Sequence, residues 1–138
     1  MIAIDTSVAV PALSAGHPDH VAAHAVVAGE RPSLPAHAAI ETYAVLTRLP
    51  APAGVPAGVA AELVVRNFGS RILHLPDGEL CPLLERLAAA GISGGATYDA
   101  LIAATVWAAG ATLVTGDRRA APTYAKIGVA VRLLDELR

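Results

Sequence analysis

The chain has 138 residues, 54% of them hydrophobic and 4% aromatic, with ten basic residues against twelve acidic ones for a formal charge of −2. That apolar share, with a mean hydropathy of +0.53, excludes global disorder, and the length suits one domain built on one core. The acidic balance argues against a general nucleic-acid-coating protein, which carries a basic surface.

Short β-prone runs alternate with longer helical ones. Residues 1–4 read as a first strand, followed at once by the polar Asp5-Thr6-Ser7. Residues 8–13 open a helix if Pro11 falls within its first turn, and 18–28 form a second with Pro18 near its start. Ser33-Leu34 is a brief strand before Pro35. Residues 36–49 are helical, with Ile40, Tyr43, Ala44 and Thr47 along one face, and stop at Pro50. The run PAPAGVPAG at 50–58 is linker-like but too short to separate domains.

A helix over 59–67, a strand over 71–75 and a helix over 77–90 follow, the last stopped by Gly91. Residues 97–109 are apolar nearly all round, the mark of a helix in the centre of a fold. Thr112–Thr115 is a buried strand, 120–127 a helix and 129–133 a final strand. This alternation predicts a three-layer α/β/α sandwich around a parallel sheet of about five short strands, with residues 1–138 as a single domain. Ligands of such sheets gather at the carboxyl ends of the strands.

Cys81 is the only cysteine, so no intramolecular disulfide forms and a reducing compartment fits. No charged segment precedes the apolar start, which Asp5 interrupts, so no signal peptide is expected. The stretch 100–114 is too short for a membrane span. A soluble cytoplasmic protein, with no membrane association, is the expectation.

Four acids stand where apolar segments begin or end. Asp5 follows the first strand, Asp117 lies two residues beyond Thr115, Asp99 opens the central helix, and Glu41 lies early in the helix over 36–49. A carboxylate beside a dry core is expensive unless neutralised. Each acid has an ordinary explanation: Asp5 as a helix cap, Asp99 and Glu41 as complements to helix dipoles, Asp117 as a turn residue. Those explanations do not say why all four approach one sheet edge. Without them the charge is +2, which leaves room for a local grip on RNA.

The segments MIAIDTSV, AAIETYAVLTR and ATYDALIAATVWAAGATLVTGD, with acids in the order D…E…D…D, resemble the PIN-domain family, and most closely its VapC-type toxins. The resemblance covers the chain to about Leu133 and is strongest over 97–117. It implies a ribonuclease in which Asp5, Glu41, Asp99 and Asp117 bind Mg²⁺ or Mn²⁺ and carry catalysis, with Thr6, Ser7 and Thr115 as supporting hydroxyls. Hard cations prefer such oxygen donors and retain several waters. The resemblance also implies endonucleolytic hydrolysis of structured RNA (tRNA or rRNA), a cognate VapB-type antitoxin that blocks the acidic pocket, and a homodimer. Arg48, Arg118 and Arg119 are candidate phosphate contacts.

Two other readings stay open within the resemblance: an RNA-processing nuclease with no antitoxin, and a non-catalytic module that binds RNA or a partner. A phosphotransferase with Asp5 as nucleophile would carry a second aspartate at position 7, where Ser7 stands. His17, His20 and His24 have helical spacing but read as an exposed polar face rather than a zinc site. His37 and His74 look isolated, and Cys81 reads as a packed small residue. Gly94-Gly95 follows no strand in a dinucleotide-binding pattern.

Overall fold

The computed structural model describes residues 1–137. Five short parallel strands form the centre: β1 (Ile2–Ile4), β2 (Leu34–Pro35), β3 (Ile72–Leu73), β4 (Thr112–Thr115) and β5 (Val131–Leu133). β4 pairs with β1 on one side and β5 on the other, and β2 pairs with β3. A parallel bridge between Ala3 and Ser33 joins the two sets, with Ser33 N–H donating to the Ile2 carbonyl at 2.9 Å and Ile4 N–H to the Ser33 carbonyl at 3.0 Å. The spatial order is therefore β3-β2-β1-β4-β5. The chain works outward from β1 to β3, then returns to build β4 and β5 on the other side, so the topological switch point lies between β1 and β4.

Among the described residues seven helices cover the sheet: α1 (Thr6–Leu13), α2 (His20–Glu30), α3 (Ala36–Arg48), α4 (Ala57–Phe68), α5 (Leu80–Ala89), α6 (Ala96–Ala108) and α7 (Ala121–Ile127). Parallel crossovers are right-handed, so reversing direction after β3 moves the later helices to the opposite face. The packing agrees: α1 meets α2 and α3, α3 meets α4, and α6 meets α5 and α7. This is the three-layer sandwich expected. Ile4, Leu34, Phe68, Ile102, Val106, Leu113 and Val114 are among the fully buried side chains of its core.

Several boundaries move for local reasons. α1 starts at Thr6 because the Asp5 side chain caps it, accepting the Ser7 N–H at 3.0 Å. Pro11 therefore lies inside this helix, not in its first turn as expected, and leaves the Ser7 carbonyl without its helical donor; the helix ends two residues later. Pro18 sits in the turn before α2, and α5 begins only after a turn in which Glu79 N–H returns to the Pro76 carbonyl. Of the strand expected over 71–75, Arg71 closes a 3-10 turn, Gly69–Arg71, and only Ile72 and Leu73 pair as strand.

In α3 the positions turned inward are Ala38, Thr42 and Leu46, and the face of Ile40, Tyr43 and Ala44 is exposed. Thr42 tolerates full burial because its hydroxyl donates to the Ala38 carbonyl at 2.7 Å. In α6 the middle is buried, from Ala100 and then Ile102 to Val106, while Tyr98 and Trp107 near its ends are exposed. Cys81 is exposed, against the expectation of a packed residue: α5 turns Leu83 and Leu87 inward and leaves position 81 on its outer side. Among the described residues no helix is long and apolar enough to cross a membrane.

Candidate active site

The carboxyl ends of β1 and β4 carry Asp5 and Thr115, side by side at the switch point. Asp5 is 3% exposed, a severe position for a charge. Four donors meet it. Ser7 gives its backbone N–H and its hydroxyl to Oδ1, and Thr115 Oγ1 and Tyr124 OH (2.7 Å) give theirs to Oδ2. These donors offset much of the cost of burying the carboxylate. Burial raises its pKa above the ordinary value, and the bonds from Ser7, Thr115 and Tyr124 oppose that rise. Burial and the Asp5 charge in turn push the Tyr124 phenol upward, which keeps it a donor.

The same hydroxyls shape the following loop. Ser7 Oγ accepts from Gly116 N–H at 2.8 Å, and Thr115 Oγ1 accepts from Asp117 N–H at 3.0 Å. Asp5 thereby anchors the turn that presents Asp117, whose Oδ1 accepts the Arg119 N–H at 2.9 Å with Arg119 Nε at 3.5 Å. Thr6, Ser7, Asp117 and Arg119 line one cleft, and it meets a second at Val45.

The second cleft is lined by His37, Glu41, Arg48, Tyr98 and Asp99. Glu41 accepts Thr6 Oγ1 at 3.1 Å on one oxygen and lies 2.6 Å from His37 Nε2 on the other. The His37 and Tyr98 rings stack, with centroids 5.0 Å apart and planes within 2°. Asp99, in the first turn of α6, has a pKa raised to about 6, first by burial and then by the charges of Asp117, Glu41 and Asp5, with His37 opposing. That interaction brings all four predicted acids into one electrostatic neighbourhood.

Among the described residues no three acid, histidine or cysteine side chains lie close enough to grip one ion directly. The donor set still fits a hard divalent cation: it consists of carboxylates with hydroxyls beside them, and such ions keep several waters between themselves and part of their ligands.

Of the predicted cations, Arg48 and Arg119 line the paired clefts; Arg118 lies 3.8 Å from Asp135 and lines neither. Sequence reasoning set His37 aside as isolated, and the structure places it against Glu41, one helical turn away, a spacing that was readable. It also passed over Tyr98 and Tyr124. The histidines of α2 and its approach are used locally: His17 Nδ1 accepts Asp19 N–H, and His20 Nδ1 lies 2.8 Å from the Pro11 carbonyl.

A family model described as PIN domain matches residues 2–126. The chain is 46% identical over 136 residues to Ribonuclease VapC40 of Mycobacterium tuberculosis, covering 97% of this chain and 99% of that protein. It is 42% identical over 137 residues to Ribonuclease VapC27 of the same organism, covering 94% of each. Among solved structures, Mycobacterium tuberculosis VapC20, described as a sarcin-ricin loop cleaving toxin, superposes with a TM-score of 0.70 at 21% identity, over 94% of this chain and 97% of that one. At that identity the likeness speaks for the fold.

Proposed function

This chain belongs to the PIN-domain family, and we propose on that premise that it is a metal-dependent endoribonuclease, the toxin of a VapBC-type toxin–antitoxin pair. The observation that carries the reading is the gathering of Asp5, Glu41, Asp99 and Asp117 around the switch point, in a chain alike over nearly its whole length to proteins named as ribonucleases. Residues 1–138 then form one PIN domain acting in the cytoplasm. Its substrate is structured RNA, tRNA or rRNA; its partners are a VapB-type antitoxin and a second copy of the chain. The exposed apolar side chains Val21, Ile40, Tyr43, Val59 and Val65 on α2, α3 and α4 offer surface for those protein contacts.

In this reading Asp99, Asp117, Glu41 and Asp5 hold Mg²⁺ or Mn²⁺. When bound, the divalent ion supplies positive charge against the attacked phosphate and the leaving oxygen. Thr6 holds Glu41 in place, and Ser7 and Thr115 hold Asp5 and the Asp117 turn. Water attacks phosphorus in line with the 3′ oxygen, that oxygen leaves with a proton, and the product carries a 5′ phosphate.

The test is incubation of antitoxin-free protein with total bacterial RNA and Mg²⁺ or Mn²⁺, followed by mapping of new 5′ ends. Discrete ends are expected that disappear with EDTA and with Asp117→Asn. The same ends from the variant would mean a contaminating nuclease or a wrong assignment of the site.

Arg48 and Arg119 provide a second expectation. Replacing both by Ala removes two phosphate contacts, so the slope of log affinity for single-stranded RNA against log salt falls by about 1.4. Arg118→Ala leaves the slope as it is, because that side chain lines neither cleft. Filter binding across a salt series measures both, and an unchanged slope in the double variant removes these arginines from the RNA path.

A further inference from the structure

We propose that the stacked His37 and Tyr98 rings form a platform for one unpaired nucleobase, seating a single-stranded or looped-out nucleotide beside the acids. The proposal rests on RNA being the substrate and assigns two residues outside the acid set to seating it.

The rings come from different helices, α3 and α6, yet their planes agree within 2° at a centroid separation of 5.0 Å. Tyr98 is 54% exposed, so one face is covered by the imidazole while the ring remains open to solvent. Single exposed aromatics are ordinary on protein surfaces. This pair is distinguished by its place, since both rings line the cleft that contains Glu41, Asp99 and Arg48.

Each ring is also tied to an acid. His37 Nε2 lies 2.6 Å from Glu41 Oε1, which fixes the imidazole in orientation, and Tyr98 immediately precedes Asp99 in α6. The platform is therefore rigid before RNA arrives, and little ordering is lost on binding.

The electrostatics give the stack its purpose. Glu41 and Asp99 both line the cleft, with the charges of Asp117 and Asp5 close enough to act on Asp99, so a phosphodiester is repelled on that side. Stacking on an aromatic face needs no charge and accepts any base. It supplies a hold next to the acids that the local field cannot, while Arg48 faces the same cleft as a cation for phosphate. A base inside an A-form helix offers no free face, so a duplex cannot use the platform.

The experiment measures binding of a short mixed-sequence single-stranded RNA carrying 2-aminopurine, in EDTA so that no metal-dependent cutting intervenes. Wild type should quench the probe. Tyr98→Leu, which keeps bulk and apolarity but loses the π face, should abolish the quench and weaken binding roughly tenfold, with the salt slope unchanged because no phosphate contact is lost. Tyr98→Phe should match wild type, and a fully paired duplex should bind both forms equally.

No quench by wild type, or equal binding by Tyr98→Leu, overturns the platform. A weaker Tyr98→Leu whose salt slope also falls overturns it too, because the residue would then act through phosphate. A wild type that quenches through Tyr98 but never cuts RNA under Mg²⁺ or Mn²⁺ supports the platform and counts against the ribonuclease reading. Cutting by wild type with equal binding by Tyr98→Leu does the reverse. Tyr98→Leu that binds RNA normally but loses a co-purifying antitoxin would assign the stack to the protein partner instead and overturn the proposal.

Discussion

Asp99→Asn should reduce RNA cleavage by about a hundredfold or more, since loss of even an outer partner of a metal site costs 10–100-fold, and the metal-free variant should be more stable than wild type. Both effects have one cause. Asp99 sits in partial burial facing the charges of Asp117, Glu41 and Asp5, and its pKa rises from 3.8 to about 6. The folded state therefore binds this proton more tightly than the unfolded state. The stability that goes with it is complete below about pH 3.8 and is lost as pH rises through about 6. Above that range the ionised Asp99 works against folding until a cation arrives.

Asp99 is only partly buried, so solvent screens some of the repulsion, and its place in the first turn of α6 lets the helix dipole offset part of the rest. The net gain from Asn is then on the order of 1 kcal/mol, roughly 4 °C in Tm. Thermal melts in EDTA should show it at pH 7.5 and not at pH 4. Added Mn²⁺ should raise wild type more than the variant, because only wild type retains the full acid set. A variant no more stable than wild type at pH 7.5 would contradict the mutual repulsion on which the site assignment rests.

The parts of this molecule that were legible in the sequence are those set by local rules. Thr112–Thr115 reads as a strand to the residue, because a β-branched apolar run lies between Gly110 and Gly116. The acids stand out only together: each has an ordinary local use, and none of those uses explains why four approach one sheet edge. The inward face of α3 was not legible, since Ile40 and Tyr43 look like core residues and Thr42 does not. The intrahelical bond to the Ala38 carbonyl lets Thr42 take a buried position. Pairings across the chain were equally hidden. Tyr124 is 119 residues from Asp5 and Thr115 is 110, and nothing in the local pattern of α7 announces a polar task for its tyrosine.

That tyrosine leads to the second large expectation: Tyr124→Phe should destabilise the protein and weaken its hold on metal without altering the shape of the core. The phenol is 1% exposed and gives its proton to Asp5 Oδ2 at 2.7 Å. Phe fills the same space, so the change isolates one hydrogen bond. It leaves a buried carboxylate with three donors for about four acceptor positions, a deficit of about 1–3 kcal/mol for a charged group. Losing a donor that opposes the burial effect raises the Asp5 pKa further, so the deficit should be largest at alkaline pH and shrink as Asp5 protonates.

Urea unfolding at several pH values reads the stability, and calorimetric titration with Mn²⁺ reads the metal affinity, expected to fall about 10–100-fold. The two together separate positioning from simple packing. If the hydroxyl serves only the fold, stability falls while the metal affinity of the folded protein stays as it was. If it holds Asp5 for the ion, both fall, and excess Mn²⁺ restores much of the cleavage rate because the acids themselves remain. Thr115→Val gives the matching case from β4: it removes the other donor to Oδ2 and also the acceptor for Asp117 N–H. Its loss of cleavage should therefore resist excess Mn²⁺, since the Asp117 turn is released along with Asp5.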